Sequence, residues 1–287
     1  MKIFITGGTG FVGKYVVAEL QKRGHKLLIL SRRDPGSVFS SRRNLKFLRG
    51  DLSSVAKWQS KLARFKPQVA LHLAWEGIPD YGFEASAKNL SQGLALISVL
   101  RTAGCKKVVG VGSCWEYGVN TGKVGEDAAS KPLNAFSAAK NALYSLGREA
   151  AKEYGTKFVW ARIFFVYGPG QKPSSLIPHL IAEKRHGRLP VIKNPNGGND
   201  FVYVGDVARA LRLLLEKNPP HDLYNIGSGR LTGVREVARV VYGKEVVKRK
   251  GPARGFYANI ARMKIEVGWK PEVSLAAGIR ATMNAVQ

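Results

Sequence analysis

The sequence predicts an α/β fold in which a doubly wound parallel sheet is followed by a smaller C-terminal lobe. Three observations indicate it: strand-like segments alternate with helical ones, a glycine-rich loop joins the first strand to the first helix, and the alternation ends near Tyr167. Such alternation places parallel strands between two layers of helices. With 287 residues, 45% of them hydrophobic, the chain is long enough to bury one large core or two smaller ones.

The strands of this sheet are predicted where short runs are apolar and β-branched. These runs are residues 2–6, 26–30, 45–49, 69–74, 107–112 and 157–163. Apolar residues at helical spacing predict helices over 11–24 and 137–155, and both segments end in a glycine suited to a helix C-terminus. Beyond the loop-rich segments that follow Tyr167, residues 206–217 are predicted as a helix and 223–227 as a short strand.

The formal net charge of the chain is +26 at pH 7. Such a field attracts anions, which include nucleic acid, an acidic membrane and a phosphorylated substrate. The basic residues are spread along the chain and no nucleic-acid module is recognisable in the sequence. A solvated basic surface is therefore favoured, and nucleic acid is not an expected partner.

The sequence also bears on where the protein works. No apolar run approaches the roughly 20 residues of a membrane-spanning helix. Met1 is followed directly by a predicted strand, whereas a signal peptide needs a longer apolar stretch. The cysteines Cys105 and Cys114 do not make a disulfide framework and are expected in the core. We therefore expect a cytoplasmic protein without a membrane span.

The segment TGGTGFVG follows the first predicted strand and opens the first predicted helix. Its glycine spacing is typical of a dinucleotide-binding loop, where one glycine allows a tight turn, one lets the backbone approach a pyrophosphate and one lets the helix pack on the strand. The helix N-terminus favours the anion. The residues predicted to bind the cofactor here are Gly7, Thr9, Gly10, Phe11, Val12 and Gly13.

The end of the next predicted strand bears on which dinucleotide is bound. An Asp or Glu at this place binds the ribose 2′-hydroxyl and favours NAD. The chain has Ser31, Arg32 and Arg33 there, and two guanidinium groups can clamp a 2′-phosphate. We therefore predict NADP as the cofactor, while Asp34, which lies slightly late, leaves NAD as the less favoured alternative.

Further motifs accompany this loop along nearly the whole chain. They are GDL (50–52), HLAW (72–75), Asn89, GSCWEYG (112–118), FSAAK (136–140), RIFFVYGPGQ (162–171), DFVYVGDVA (200–208) and YNIGSG (224–229). In this order they resemble the extended short-chain dehydrogenase/reductases, a family of nucleotide-sugar epimerases, dehydratases and ketoreductases. The resemblance is specific because the motifs occur together and in the family order.

The resemblance implies further cofactor contacts along the Rossmann-type sheet. These fall to Asp51, Leu52, Leu73, Ala74, Trp75, Asn89, Lys140 and Ile163. His72 is expected to be a sheet residue, and no metal site is expected. The implied division is an NADP-binding lobe of residues 1–168, to which 200–227 return, and a substrate-binding lobe of 169–199 and 228–287.

The resemblance also implies a catalytic set. The family uses a Ser or Thr that holds the reacting oxygen, a Tyr that exchanges the proton, and a Lys that lowers the pKa of the Tyr and binds the nicotinamide ribose. Ser113 and Lys140 match the Ser and the Lys, whereas Phe136 occupies the place of the Tyr. A phenylalanine ring can neither donate nor accept a proton.

Three explanations for Phe136 remain open at this point. The chain is an engineered Tyr-to-Phe form of an active enzyme, or it is active with a substitute acid, or it binds its ligands without redox chemistry. The substitute acids considered are Tyr144, Tyr117, Tyr167 and a water held by Ser113.

The substrate expected from the resemblance is a nucleotide-linked sugar. LAWEGIPDYG and GSCWEYG are similar to strings in reductases of 4-keto-6-deoxy nucleotide sugars, which implies a ketoreductase, or a 4-epimerase, acting at C4. The residues assigned to the substrate are Trp75, Glu76, Tyr81, Ser113 and Phe165. Dehydratase chemistry is disfavoured because Cys114 and Trp115 stand where the family's Asp-Glu pair follows the catalytic Ser.

The chain departs from the family pattern at two positions that the resemblance assigns to the substrate. Phe165 stands where the family often has a substrate-binding Asn, and Asn199 where an Arg often meets the diphosphate. A homodimer is expected, because this family often pairs through two helices, here residues 83–103 and 135–154.

Overall fold

The computed structural model describes residues 1–34, 36, 39, 44–247 and 251–285. The strands are β1 (Lys2–Thr6), β2 (Lys26–Ser31), β3 (Leu45–Arg49), β4 (Val69–His72), β5 (Lys107–Ser113), β6 (Gly122–Val124), β7 (Lys157–Ile163), β8 (Phe165–Tyr167), β9 (Gly198–Asn199), β10 (Phe201–Tyr203), β11 (Leu223–Ile226), β12 (Thr232–Gly233) and β13 (Phe256–Ala258). The α-helices are α1 (Phe11–Lys22), α2 (Gln59–Phe65), α3 (Phe83–Thr102), α4 (Ala135–Glu153), α5 (Leu176–Arg185), α6 (Val204–Glu216), α7 (Val234–Tyr242) and α8 (Leu275–Ala285).

The central sheet has the strand order β11-β7-β5-β4-β1-β2-β3. The pairs β1–β2, β1–β4, β2–β3 and β4–β5 are parallel, with Ile3 opposite Leu27 and Val69 in the two neighbours of β1. The order reverses between β1 and β4, and such a switch point is where a doubly wound sheet binds its ligand, outside the carboxyl ends of the strands. The predicted Rossmann-type fold is confirmed.

The predicted elements are present, with shifts at their ends. Helix α1 ends at Lys22 and is followed by Gly24 at φ +73°, and α4 is followed by Gly155 at φ +61°, so both predicted glycines end their helices in the left-handed conformation. Strand β4 stops at His72, two residues earlier than predicted. Leu73 still donates its backbone N–H to the carbonyl of Thr6 at 3.1 Å, and the next residue, Ala74, lies against Gly7 of the glycine loop.

The chain divides into two compact units. The first comprises 1–119, 129–162 and 208–224, and the second comprises 120–128, 163–207 and 225–287. The first is filled by large rings on the central sheet and its helices, among them Phe4, Trp58 and Trp160. The core of the second includes Tyr167, Ile181 and Val241. Which ligand each unit binds stays a prediction.

Two smaller expectations concern single features of the sequence. Cys105 and Cys114 are both buried and free, as expected of small core residues. Among the described residues, no helix is long and apolar enough to cross a bilayer.

Candidate functional site

The glycine loop lies at the switch point of the sheet. Gly7 has φ +73°, and a Cβ placed on it would lie 2.6 Å from the backbone nitrogen of Ala74. A Cβ on Gly13 would lie 2.1 Å from the carbonyl oxygen of Gly7, and Gly10 donates its N–H to that same oxygen at 3.0 Å. Because side chains are excluded at Gly7 and Gly13, the turn is tight and α1 can pack against it.

The start of α1 is suited to an anion. Gly10 provides no side-chain cap, and the first turn of the helix contains no acidic residue. The first N–H groups of a helix have no partner within the helix, and the helix dipole places partial positive charge there. The glycine-rich loop in front of this uncapped helix fits the pyrophosphate of a dinucleotide. Thr9, Phe11 and Val12 lie in this segment, as predicted, and their contacts with a cofactor stay predictions.

A hydrogen bond joins the ends of β1 and β4 below the loop. Thr6 Oγ1 lies 2.7 Å from His72 Nδ1, and the backbone N–H of Ala74 points to the same hydroxyl at 3.4 Å. Burial, and then the positive charge of Lys140, lowers the pKa of His72 to about 3. The ring is therefore neutral and structural, and no cluster of metal-ligating side chains occurs within the described ranges.

Arg32 and Arg33 directly follow β2, where the sequence predicts the adenosine ribose. Arg32 donates to the carboxylate of Glu76, and its Nε lies 3.9 Å from Asp51 Oδ2. Asp51 caps the turn that begins at Leu52 by accepting the N–H of Ser53 at 2.7 Å, and these hydrogen bonds with Ser53 hold the pKa of Asp51 below its ordinary value. Basic and acidic groups thus meet where the sequence predicts a 2′-phosphate.

Glu76 and Asn89 have contacts that the sequence did not predict. Lys88 holds the second carboxylate oxygen of Glu76 at 2.9 Å, so two cations engage the group that was assigned to the sugar. Asn89 is buried and forms three hydrogen bonds to the backbone of Glu76 and Ala85. Its Oδ1 accepts the N–H of Glu76, and its Nδ2 donates to the carbonyls of Glu76 and Ala85. Asn89 therefore fixes the cofactor-side loop, and any direct cofactor contact of it stays a prediction.

Lys140 lies on the inner side of α4, with its side chain 6% exposed. Its Nζ donates to the carbonyl of Val111 at 2.6 Å and lies 4.0 Å from the ring centre of Trp75. Burial lowers the pKa of Lys140 from 10.5 to about 7, and the negative charge of Glu116 opposes this shift. The group therefore changes its charge near neutral pH.

Aromatic rings surround Phe136. Trp75 meets its ring edge-on at 5.4 Å, Tyr81 at 5.2 Å and Trp115 at 6.3 Å, and Tyr81 and Trp115 also pack on each other at 4.9 Å. We call these four residues the ring cluster. The sequence assigned Trp75 and Tyr81 to the substrate and missed Trp115, although it stands inside the motif GSCWEYG. Burial raises the pKa of Tyr81, so its phenol stays protonated at neutral pH.

Ser113 is held by a buried ion pair behind it. Glu116 accepts the N–H of Ser113 at 2.7 Å, both indole contacts of Trp160 at 3.1 and 3.2 Å, and the guanidinium of Arg162 at 2.8 Å. Glu116 is fully buried, and a Cβ on Gly112 would lie 2.3 Å from its Oε1. Because these donors occupy the carboxylate, Glu116 supports Ser113 and is not available as an acid/base residue.

The tyrosines considered as substitute acids are engaged elsewhere. Tyr144 donates its hydroxyl to Asp222 at 3.1 Å, and Tyr117 is fully buried beneath the guanidinium of Arg162, which lies 4.3 Å from its ring centre. Tyr167 belongs to the second unit, where its hydroxyl donates to the carbonyl of Leu275 at 3.4 Å. Tyr81 is the tyrosine whose ring contacts Phe136.

The remaining predicted residues belong to the second unit. Ile163 ends β7 and is buried, and Phe165 begins β8 and packs against Phe201 at 6.1 Å. Asp200, fully buried, accepts the N–H groups of Gly229 and Ala258 at 3.0 Å each and so ties three segments of this unit together. The assignments of Ile163 to the cofactor and Phe165 to the substrate stay predictions.

Comparison with known proteins agrees with this geometry. A family model described as NAD dependent epimerase/dehydratase family matches residues 3–227. The chain is 26% identical, over 98% of its length, to a trifunctional UDP-glucose 4,6-dehydratase/UDP-4-keto-6-deoxy-D-glucose 3,5-epimerase/UDP-4-keto-L-rhamnose-reductase of Arabidopsis thaliana. It spans 46% of that protein, less than half of its length.

Two solved structures are similar over almost the whole chain. A UDP-glucose 4-epimerase of Thermotoga maritima, solved with UDP-glucose, is 27% identical with a TM-score of 0.87, covering 99% of this chain and 98% of the epimerase. A UDP-glucose 4-epimerase of Thermus thermophilus, solved with NAD, is 27% identical with a TM-score of 0.80 at the same coverage of both chains.

Proposed function

Because the chain belongs to the NAD dependent epimerase/dehydratase family, we propose that it is an NADP-dependent ketoreductase, or a 4-epimerase, acting at C4 of a nucleotide-linked deoxy sugar. Its proton transfer is altered or disabled by Phe136. The observation that carries the proposal is the buried Lys140, held between the carbonyl of Val111 and the ring of Trp75 beside an aromatic residue without a hydroxyl.

The cofactor part rests on the glycine loop and on Arg32 and Arg33. The loop and the N-terminus of α1 bind the pyrophosphate, and the two arginines favour a 2′-phosphate. A bound nicotinamide supplies or accepts the hydride at the sugar carbon. Lys140 holds the nicotinamide ribose, and the hydroxyl of Ser113 holds the reacting sugar oxygen.

The substrate part rests on the ring cluster and on the similar proteins. The relatives named above act on, or were solved with, UDP-linked sugars. Aromatic rings offer large apolar surface, which suits the methyl group and the C–H face of a 6-deoxy sugar better than they suit a fully hydroxylated one. The strongly basic chain attracts the diphosphate.

The proton route is the altered part. Tyr144, Tyr117 and Tyr167 are held by other groups, whereas Tyr81 packs on Phe136 and stays protonated at neutral pH. Tyr81 is therefore the substitute acid that the geometry favours, in preference to the three tyrosines considered from the sequence. Turnover through a donor that is not at position 136 is slow, since general acid catalysis depends on close placement of the donor.

A second candidate is a non-catalytic protein that binds NAD(P) and a nucleotide sugar on a reductase scaffold. The observation that favours it is the same ring cluster, because Phe136 packs against three rings as an ordinary apolar side chain does. This protein binds both ligands and leaves them unchanged.

The experiment mixes the purified chain with NADPH and a 4-keto-6-deoxy nucleotide sugar and follows absorbance at the nicotinamide band. Slow turnover that is lost in Tyr81→Phe and kept in Tyr144→Phe supports the ketoreductase. Tight binding of both ligands without turnover in any variant supports the binding protein. Failure to bind either nicotinamide dinucleotide would remove both candidates.

We also propose a cytoplasmic homodimer that pairs through the exposed faces of α3 and α4. Leu146, on α4, is 50% exposed, and pairing through this helix would cover it. Light scattering at micromolar concentration tests it: a dimer that Leu146→Glu converts to a monomer supports the pairing, and an unchanged mass contradicts it.

A further inference from the structure

A salt bridge connects two segments at the carboxyl edge of the sheet. Arg32 directly follows β2, and Glu76 lies in the segment that follows β4. The guanidinium of Arg32 donates to Glu76 Oε1, and Lys88 donates to Glu76 Oε2 at 2.9 Å. The exposed fractions are 66% for the side chain of Arg32 and 25% for that of Glu76, so the pair lies at the surface with its acidic member better covered.

The pair spans the cofactor cradle. In the sheet, β1 lies between β2 and β4, and its carboxyl end continues into the glycine loop. A contact from Arg32 to Glu76 therefore bridges from one side of that loop to the other. Gly7 is so close to the 73–76 segment that a Cβ on it would touch the backbone of Ala74. The bridge thus lies at the edge where the dinucleotide binds.

Glu76 is the fixed member of the pair. Buried Asn89 accepts the N–H of Glu76 at 2.8 Å and donates to its carbonyl at 3.1 Å, and it is anchored to Ala85 at 2.7 Å. Lys88, on the same helix as Asn89, holds the carboxylate from the other side. Arg32 has a long, largely exposed side chain that can adopt other rotamers, so a competing anion moves Arg32 and leaves Glu76 in place.

A 2′-phosphate must compete with carboxylates for Arg32. Glu76 already accepts its hydrogen bond, and Asp51 Oδ2 lies 3.9 Å from its Nε. A phosphate with nearly two negative charges must share this guanidinium with Glu76 or displace that carboxylate, and in either case it lies near the carboxylate and is repelled. A ribose without the phosphate meets neither cost.

We propose that Glu76 is a residue that selects the cofactor: it competes with the 2′-phosphate for Arg32 and so sets the preference between NADP and NAD. This rests on the dinucleotide binding of the proposed function. It assigns Glu76 to the adenosine end of the cofactor, in place of the sugar contact predicted from the sequence. It also implies that a chain with two arginines at this place binds NAD as well as NADP.

The test uses Glu76→Gln in the full chain, which keeps the shape of the side chain and removes its charge. Dissociation constants for NADP⁺ and NAD⁺ are measured by quenching of intrinsic fluorescence, so no substrate or turnover is needed. We expect NADP⁺ to bind roughly three- to tenfold tighter to the variant and NAD⁺ to change by less than about twofold. Glu84→Gln, at the exposed first turn of α3, is the matched control and should change neither constant.

Two further results decide the proposal. In an Arg32→Gln background, Glu76→Gln should improve NADP⁺ binding less than it does in the unaltered chain, because the competition for Arg32 is gone and only the repulsion by the carboxylate is relieved. An unchanged ratio of the two constants in Glu76→Gln, with a normal thermal melt, overturns the proposal while the proposed function stands. Binding of neither cofactor by the unaltered chain overturns both.

Discussion

At the scale of single residues, three buried charged groups define the site. Lys140 keeps its ammonium group inside the protein against a carbonyl and a ring face, and Glu116 and Arg162 neutralise each other behind Ser113. Desolvation disfavours a charge unless a partner compensates it. The structure therefore compensates Arg162 by a direct partner and leaves Lys140 with a lowered pKa.

The first prediction concerns Lys140→Met and the pH dependence of stability. The pKa of Lys140 is about 7 in the folded protein and near its ordinary 10.5 in the unfolded chain. Between these values the unfolded chain binds the extra proton, so the free energy of unfolding contributed by this group rises with pH, and below pH 7 its buried charge destabilises the fold. We expect Lys140→Met to be more stable than the unaltered chain by about 2 to 4 kcal/mol at pH 6, with the gain shrinking as the pH approaches 10.

Urea denaturation at several pH values measures this difference. Lys152→Met, an exposed position on the same helix, is the control and should show a small difference that does not vary with pH. If the free energy of unfolding depends on pH in the same way for Lys140→Met and for the unaltered chain, Lys140 titrates as an ordinary lysine.

The second prediction concerns Glu116→Gln. The substitution removes the charge that compensates Arg162, which is 2% exposed, and weakens the contact that orients Ser113. We expect a loss of about 3 to 5 kcal/mol in the free energy of unfolding, because an unpaired charge is left inside. Adding Arg162→Met to this variant should restore part of the lost free energy of unfolding. Chemical denaturation checks both, and a loss below about 1 kcal/mol for the single variant speaks against the buried pair.

At the scale of elements, the sequence predicts best where a local pattern decides the structure. Strand β3 has its predicted bounds, and the glycine loop lies between strand and helix as its spacing indicates. The Arg32–Glu76 bridge and the Arg162–Glu116 pair behind Ser113 were not predicted, since the partners in each pair are far apart in the chain and meet only through the strand order. The sequence motifs identify Ser113, Phe136 and Lys140 as site residues. The spacing of apolar residues does not show that Trp115 packs on Phe136.

The third prediction belongs to α1 and its loop. In Gly13→Ala the new methyl group would lie 2.1 Å from the carbonyl oxygen of Gly7, so helix and turn must separate. We expect a destabilisation of about 2 to 3 kcal/mol and a loss of dinucleotide affinity of at least roughly tenfold, because the cradle is displaced.

The control for this prediction lies at the other end of the same helix. Gly24 has φ +73° with no atom near its added Cβ, so Gly24→Ala strains the backbone only. It should cost about 1 kcal/mol of stability and leave dinucleotide affinity unchanged. Equal losses of affinity in both variants would mean that Gly13 acts through general stability and not through the cradle.

At the scale of the whole molecule, the charge of +26 is the property least explained by the fold. It raises the local concentration of every anion, so a nucleotide sugar, a dinucleotide and a nucleic acid are all attracted. These ligands differ in how their binding responds to salt, because a nucleic acid releases many counterions and a small ligand few.

The fourth prediction follows from that difference. Fluorescence anisotropy with a labelled DNA oligonucleotide should show weak binding at low salt that disappears by about 200 mM salt, with no preference among sequences. The affinity for NADPH, measured in the same buffers, should fall far less steeply. DNA binding that persists with a sequence preference at about 300 mM salt would make nucleic acid a specific partner after all.

We propose that this is a reductase site from which a single hydroxyl is missing, and the variant Phe136→Tyr restores that hydroxyl. The measurement is single-turnover oxidation of bound NADPH by a 4-keto-6-deoxy nucleotide sugar, in the unaltered chain and in the variant. A positioned general acid contributes roughly 10²- to 10⁴-fold, so we expect a gain of that order with little change in the affinity for NADPH. An unchanged rate in a variant that still binds NADPH and the sugar would contradict the missing hydroxyl: equal turnover in both forms would mean that another group carries the proton, and no turnover in either would leave a binding protein.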